Sequence, residues 1–281
     1  DLPPVPFAAA RFDIATVLLF AALAVTDSLE RPQTRDDYVY VLVGGALMIG
    51  AHHAFLFAGQ QYVTGAVAAV LLGLVPVVTP ALTRLTSSDD RFTANTAVGV
   101  VLGFAGVVVI ADPDPANLLA STIGIVLVFA AALAFAIPAV ITHDTSPSMS
   151  FLATQAWLMA IGAVVLHVAV LALPGQSFAD ASWTLSALAA MMYLSAVAGI
   201  GGFLLYFRLL DELGPIEMSF IEYVIPLFAA LAGWLVLGQP VTLATIGGFA
   251  CILMGFIAAK WTTLRAELRR VVEPKTSPPA D

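Results

Sequence analysis

One carboxylic acid lies well inside a long apolar stretch of the sequence. Glu222 is eight residues beyond Gly214, roughly 12 Å along a helix at 1.5 Å per residue. A carboxyl group at that depth in a bilayer costs several kcal/mol unless it is paired, hydrated or protonated. The position predicts either proton coupling or the binding of a substrate amine. The alternative is a structural hydrogen bond to a neighbouring helix.

Two adjacent histidines, His52 and His53, occupy the middle of another apolar stretch. Neighbouring residues diverge by about 100° around a helix, so these two side chains cannot face one point squarely. A metal site would favour a spacing of three or four residues, so we predict no metal here. We expect one histidine to line a cavity or relay protons. The alternative is a pair of interhelical hydrogen bonds.

Two prolines, Pro76 and Pro226, interrupt apolar stretches at corresponding places in the two halves of the chain. Because proline lacks an N–H, the carbonyl groups of Leu72 and Glu222 lose their helical partners. Freed carbonyls inside a bilayer must find a partner or line a polar cavity. Matched breaks of this kind predict a central binding site, and the alternative is a simple packing kink.

Four further candidates for the wall of such a site are aromatic or polar: Trp157, Tyr206, Tyr223 and Gln155. Aromatic residues in membrane proteins more often pack together or anchor at the interface, which is the alternative for the first three. Gln155 lies in the stretch that mirrors the one containing Arg11. We expect Arg11 itself to extend its side chain towards the membrane surface, and the alternative is a gating role.

The composition shows what kind of element must position these side chains. Of 281 residues, 60% are hydrophobic and 11% charged, and the mean hydropathy is +0.97. Soluble domains are about 45–50% apolar and about 25% charged, so this is a polytopic protein of the lipid bilayer. A net charge of −8 without a basic stripe excludes nucleic acid binding. The single Cys251 excludes an intrachain disulfide, and we expect no cofactor.

Nine stretches of roughly 20 apolar residues are long enough to cross a bilayer as helices. Strands of a membrane barrel would be shorter and would alternate in polarity, so the chain is predicted to be all-α. The nine stretches are 5–25, 38–58, 63–84, 94–111, 119–142, 150–172, 184–206, 214–237 and 242–260.

The basic residues predict the orientation of the chain. Ten of the eleven lysines and arginines fall in alternate loops or in the C-terminal tail, on one side of the predicted membrane. The loops on the opposite side hold none. The positive-inside rule therefore places the C-terminus in the cytoplasm, in a multi-pass protein of the plasma or inner membrane.

The two halves of the chain repeat one another. Pro76 aligns with Pro226 at an offset of 150 residues. After a slip of one residue, Gly99 aligns with Gly248. The second copy begins with 119–142, whose counterpart would precede residue 1. We therefore expect an inverted repeat of five-helix units, a ten-helix carrier fold whose first helix is missing from this chain. The repeats are predicted at 1–111 and 119–260, followed by a cytoplasmic tail over 261–281.

Several segments resemble a known family of carriers. The run Gly214–Pro240, the segment Ile246–Gly255 and the opening Pro6–Phe12 are similar to EamA-like carriers of the drug/metabolite transporter superfamily. The resemblance covers essentially the whole chain. It implies a ten-helix carrier with both termini in the cytoplasm, of a kind that often exports metabolites or amino acids.

Together these features predict a secondary transporter that moves a small metabolite by alternating access. We expect an amino acid or a related compound, exported with proton coupling. The alternative is a channel or a non-transporting membrane scaffold. No enzyme is predicted, because Asp13 is the only Asp within a span and no Gly-x-Ser-x-Gly motif is present. The oligomeric state stays open.

Overall fold

The computed structural model describes residues 3–63, 65–86, 93–111, 122–173, 175–180, 183–221, 223–225 and 242–259, with single residues at 228, 231, 234, 235, 261 and 265. Within these ranges the regular structure is entirely helical. The helices are α1 (Pro4–Val25), α2 (Arg35–Gly59), α3 (Gly65–Leu72), α4 (Val75–Thr86), α5 (Ala94–Ala111), α6 (Thr122–His143), α7 (Phe151–Ala172), α8 (Leu185–Leu213), α9 (Pro215–Ser219) and α10 (Leu243–Ala259).

The helices confirm the all-α membrane fold predicted from hydropathy. Five of them, α1, α2, α6, α7 and α8, are each long and apolar enough to cross a membrane. Shorter apolar helices account for the stretches at 63–84, 94–111 and 242–260. The stretch at 214–237 is helical over Pro215–Ser219 and at the described positions that follow the turn at Phe220.

One predicted end was wrong, because α8 continues seven residues beyond 206. The charged side chains of Arg208, Asp211 and Glu212 lower the hydropathy there, although Phe207 stays buried and the helix continues. Gly214 ends it, with a φ of +85° that side-chain-bearing residues rarely adopt.

Two helices contain π-helical segments directly before candidate site residues. The segment Tyr40–Ala51 lies within α2, directly before His52. The segment Leu194–Gly202 lies within α8, directly before Phe203. The wider π turn changes the direction in which the following side chains point, and it is frequent at functional sites. Hydropathy does not detect it, since both forms are equally apolar.

The chain divides into two compact units by packing, 1–90 with 113–222 and 91–112 with 223–281. In the first unit, glycines allow α2 and α7 to approach closely. A Cβ on Gly162 would lie 2.3 Å from Cγ2 of Ile49, and a Cβ on Gly45 would lie 2.8 Å from the Leu158 carbonyl oxygen. The predicted sequence repeats are a different division of the chain and stay a prediction.

The predicted break at Pro76 is present in the described structure. Helix α3 ends at Leu72, a turn covers Gly73 and Leu74, and α4 begins at Val75, so Pro76 occupies its first turn. Proline is tolerated there because the first N–H groups of a helix have no intrahelical acceptor. Whether this break lines a substrate path stays a prediction.

In the second unit, glycines bring α5 against α10. A Cβ on Gly99 would lie 2.7 Å from the Gly255 carbonyl oxygen, and a Cβ on Gly106 would lie 2.6 Å from that of Gly248. These contacts show that the glycines of the two helices serve packing within the chain. Gly103 packs in the same unit against the ring of Tyr223.

Candidate functional site

A hydrogen bond between α1 and α2 is the centre of the candidate site. Nη2 of Arg11 lies 3.1 Å from Nε2 of His53, and Nδ1 of His53 lies 2.8 Å from the Ile49 carbonyl oxygen. Because a carbonyl only accepts, Nδ1 carries the hydrogen and Nε2 accepts from the guanidinium. His53 is therefore neutral in this arrangement. The expectation that Arg11 extends to the membrane surface was wrong, since its side chain turns inwards to His53.

His52 belongs to the same group but contacts a different helix. Its Nδ1 lies 2.9 Å from the Ala131 carbonyl oxygen on α6. The rings of His52 and His53 meet edge to face with centroids 4.9 Å apart, and both residues are buried. His52 thus links α2 to α6, and His53 links α2 to α1.

Aromatic rings surround the two histidines. The ring of Phe12 lies 4.8 Å from that of His53, and the ring of Phe135 lies 5.0 Å from that of His52. Phe135 in turn contacts Tyr206, with centroids 5.3 Å apart. The structure therefore brings three predicted site residues, His52, His53 and Tyr206, into one cluster.

A series of ring contacts leads from this cluster along the first unit. Phe203 lies 6.3 Å from His53 and 6.1 Å from Phe207, and Phe207 lies 6.1 Å from Tyr40, measured between centroids. Tyr40 and His53 are 13 residues apart on α2, so the series extends over several turns of that helix. We call Tyr40, Phe203, Phe207 and Phe135 the aromatic column.

A cavity of about 290 Å³ lies at the Tyr40 end of the aromatic column. Its wall comes from the ends of α2, α6, α7 and α8 and from the loop before α7. The lining residues are Tyr40, His143, Thr145, Pro147, Met149, Phe151, Thr154 and Asp211. This polar cavity and the Arg11–His53 pair thus lie at opposite ends of one series of aromatic rings.

The loop before α7 is held by acidic side chains of the first turn of α2 and of the loop that precedes it. The Asp37 carboxylate accepts from the Ser148 N–H at 2.6 Å, from the Ser148 hydroxyl at 2.8 Å and from the Thr34 N–H at 2.8 Å. Glu30 and Asp36 accept from the N–H groups of Ser150 and Ser146. Alternate residues of this loop, from Thr145 to Met149, line the cavity instead. We call these contacts the acidic latch.

Gln155 is completely buried, and neither atom of its amide group has a hydrogen-bond partner in the described structure. Leaving a buried polar group without a partner costs about 1–3 kcal/mol. Its neighbour Thr154 lines the cavity. Nε of Arg11 and the hydroxyl of Thr16 are also buried without a described partner. Such groups are the ones that a ligand, water or a second conformation would satisfy.

Trp157 contacts the latch instead of the histidines. Its Nε1 donates to the Glu30 carbonyl oxygen at 2.9 Å, and its ring meets Phe20 edge to face with centroids 5.3 Å apart. These contacts hold the loop between α1 and α2 against α7. The described contacts of Trp157 are therefore with Glu30 and Phe20, and its place in the substrate cavity stays a prediction.

The remaining predicted residues have other contacts or lie outside the described structure. Tyr223 belongs to the second unit, where its hydroxyl donates to the Val100 carbonyl oxygen at 2.9 Å. Glu222 and Pro226 lie outside the described residues. His167 faces Asp13, with Nε2 3.4 Å from Oδ2. Among the described residues, no three His, Cys, Asp or Glu side chains gather closely enough to hold a metal ion.

Sequence reasoning missed the role of Arg11 and of the rings of Phe135 and Phe203. A signal for Arg11 was available, because it is the single basic residue that falls in the interior of an apolar stretch instead of at its end, in a loop or in the tail. Phe203 had no such signal. Its position depends on the π segment before it, which the composition does not reveal.

The comparison with known families bears on the whole chain. The profile of the EamA-like transporter family matches residues 1–111 and 122–259. The chain belongs to this family. The match leaves out only the connection between the halves and the C-terminal tail, so the membership covers all the helices described above.

Individual relatives are similar to this chain over most of their own length. An uncharacterized transporter of Archaeoglobus fulgidus is 28% identical over 90% of this chain and 87% of its own length. The uncharacterized inner membrane transporter YedA of Escherichia coli is 26% identical over 88% of this chain and 83% of its own. The protein PecM of Dickeya dadantii is 27% identical over 82% and 76%.

The fold has a counterpart among solved structures. One crystal structure matches 95% of this chain and 90% of its own with a TM-score of 0.72, at 18% sequence identity. At that identity the match shows the fold alone. With the family and the apolar helices, it identifies a multi-pass cell-membrane transporter of the EamA type, whose substrate is a small molecule.

Proposed function

We propose that this EamA-family protein is a secondary transporter that exports a small metabolite, an amino acid or a related compound, by alternating access coupled to protons. Its C-terminus lies in the cytoplasm. The observation that carries the proposal is the aromatic column, which joins a polar cavity at one end to a buried Arg11–His53 pair at the other.

This arrangement suits a carrier better than a channel. A channel needs a continuous polar path, whereas here bulky rings occupy the distance between the cavity and the basic pair. An alternating carrier needs a closed side and an open side around one binding site. The cavity supplies the open side, and the packed rings around His53 supply the closed side.

The charge distribution of the loops supports export. The loop between α1 and α2 carries Arg31 and Arg35, so the positive-inside rule assigns this end of the molecule to the cytoplasm. The acidic latch and the cavity are at the same end. The cavity then opens to the cytoplasm, where an exporter must collect its substrate.

His53 is the coupling residue that the geometry favours. It accepts from Arg11 only while it is neutral, because protonation would place an N–H on Nε2 against the guanidinium. Two titratable or charged groups contact it, Arg11 on α1 and His52 on its own helix. The contact from α8 is the apolar ring of Phe203. A proton on His53 therefore breaks the link between α1 and α2. Glu222 stays a second predicted coupling residue.

The test is counterflow in proteoliposomes that contain the purified full chain. The vesicles are preloaded with an amino-acid and small-metabolite mixture, labelled compounds are added outside, and a pH gradient is imposed. We expect saturable exchange that responds to the gradient. His53→Gln and Glu222→Gln are compared with the wild type, and His167→Gln serves as the matched control for loss of a membrane histidine.

Each outcome has a consequence. Exchange that loses its pH response in His53→Gln, but keeps it in His167→Gln, supports coupling through His53. A loss in Glu222→Gln alone would move the coupling to that residue. Flux that shows no counterflow would favour a channel, and no flux of any compound would favour a scaffold.

A further inference from the structure

We infer that Arg11 anchors a carboxylate group of the substrate, which takes the place of His53 on the guanidinium. This inference rests on the proposed transport function, and it names the chemical class of the substrate: a small organic carboxylate with an apolar body. The argument starts from the hydrogen bonds that Arg11 makes and from those it lacks.

One edge of the guanidinium is only half used. Nη2 donates to His53, whereas Nε, on the same edge, is buried and has no acceptor among the described residues. Nε and Nη2 together form the edge that binds a carboxylate through two parallel N–H···O bonds. A carboxylate at this place would satisfy the Nε–H, which a single imidazole nitrogen does not reach.

The guanidinium also has no anionic partner in the described structure. Asp13, the acid nearest in sequence, is paired with His167. The described polar contact of Arg11 is with the neutral imidazole of His53. Its guanidinium carbon also lies 4.6 Å from the centroid of the Phe12 ring. A cation inside a membrane span is normally paired or hydrated, and a substrate anion supplies the missing charge.

The surroundings indicate what the rest of the substrate is. The rings of Phe12, Phe57 and Phe203 pack around His53, and none of them offers a hydrogen-bonding group. Tyr206 lies one ring further, beyond Phe135. A ligand that reaches Arg11 therefore places its carboxylate on the guanidinium and an apolar or aromatic body among these rings.

The exchange links binding to movement. When the carboxylate takes the Nε–Nη2 edge, His53 loses its donor on α1. The hydrogen bond that joins α1 to α2 is then broken, because the carboxylate and the unprotonated Nε2 of His53 both only accept. An empty carrier keeps the Arg11–His53 contact instead. Arg11 thus distinguishes the empty from the loaded state with a single side chain.

The experiment measures ligand-induced thermal stabilisation of the purified full chain in detergent. The probes are leucine, 4-methylpentanoate and benzoate, each beside its neutral amide. A carboxylate present at a hundredfold excess over its Kd should raise the Tm by roughly 5 °C, whereas the amides should not. The same probes are applied to Arg11→Gln, Arg11→Lys and the control Arg208→Gln, in which an exposed ion pair with Glu212 is lost.

We expect the carboxylate shift in the wild type and in Arg208→Gln, its loss in Arg11→Gln, and a roughly tenfold weaker Kd in Arg11→Lys, which keeps the charge but not the two-pronged edge. No shift with any carboxylate in the wild type overturns the inference, and so does an unchanged shift in Arg11→Gln. Should Arg11→Gln fail to fold, Arg11→Lys decides, and an unchanged Kd there overturns the inference.

Counterflow of labelled leucine separates this inference from the transport function. Exchange that proceeds equally in the wild type and in Arg11→Gln would remove the anchor and keep the carrier. A carboxylate shift that depends on Arg11, in a protein that exchanges nothing, would keep the anchor and remove the carrier.

Discussion

His53 accepts a hydrogen bond from Arg11, and it can do so because its other ring nitrogen donates to the Ile49 carbonyl. The pair joins α1 to α2 inside the apolar core of the first unit. The contact depends on a neutral imidazole and on a guanidinium without an acid beside it in the described structure. Both conditions can be changed by a proton or by an anion, which gives the pair two ways to respond to a transport cycle.

Replacing Gln155 should stabilise the protein. Its buried amide group has no described partner, and removing a polar group of that kind recovers about 1–3 kcal/mol. We therefore expect Gln155→Leu to raise the Tm in detergent by about 2–6 °C while it lowers transport. The control is Gln61→Leu on the exposed surface, which should change neither. A lower Tm in Gln155→Leu would show that its amide is paired.

Neutralising Asp37 should destabilise the acidic latch. The buried carboxylate accepts four hydrogen bonds, from Gln33, Thr34 and twice from Ser148. In Asp37→Asn one acceptor oxygen becomes a donor, and we expect a loss of about 2–4 kcal/mol in the free energy of unfolding. Asp36→Asn, which affects a single bond of 3.3 Å, should cost less than 1 kcal/mol by the same argument. Equal effects would contradict the assigned role of Asp37.

A methyl group at Gly103 should disturb the second unit. The new Cβ would lie 2.2 Å from the ring of Tyr223, which is itself held by Val100. Overpacking of this kind typically costs about 1–3 kcal/mol, so Gly103→Ala should lower the Tm. Gly247→Ala is the matched control, because nothing lies within 4 Å of its Cβ position. A Tm in Gly103→Ala that equals that of the control would mean that Tyr223 packs elsewhere.

The sequence predicted the helices well because long apolar stretches have few structural alternatives in a bilayer. The interruption of the helix just before Pro76 reflects a local backbone effect, since proline has no N–H to donate. The end of α8 was placed too early because charged side chains on an exposed helix face resemble a loop in composition. Gly214, with its positive φ, marked the end more reliably.

The candidate site was predicted only in part. His52, His53 and Tyr206 meet in one cluster, and their role in lining a substrate path stays a prediction. Their partners depend on tertiary contacts that spacing does not encode. Arg11 was assigned to the surface by a general tendency of long basic side chains. Its contacts decide otherwise, through one hydrogen bond to His53 on α2 and the face of Phe12 on α1. Trp157 donates instead to the carbonyl oxygen of Glu30, which lies in an irregular loop whose path the sequence pattern does not predict.

The central claim is that the cavity beside Thr154 opens to the cytoplasm and closes in alternation with the Arg11–His53 side. The most direct measurement is side-specific labelling of Thr154→Cys with a membrane-impermeant maleimide, in a Cys251→Ala background. Val164→Cys, which is exposed on the surface of the same helix and faces lipid in the bilayer, is the control that should stay unlabelled. We predict labelling in inside-out vesicles, none in right-side-out vesicles, and a rate that changes when a pH gradient is imposed. Labelling from the outside alone, or equal rates from both sides that ignore the gradient, would contradict the account.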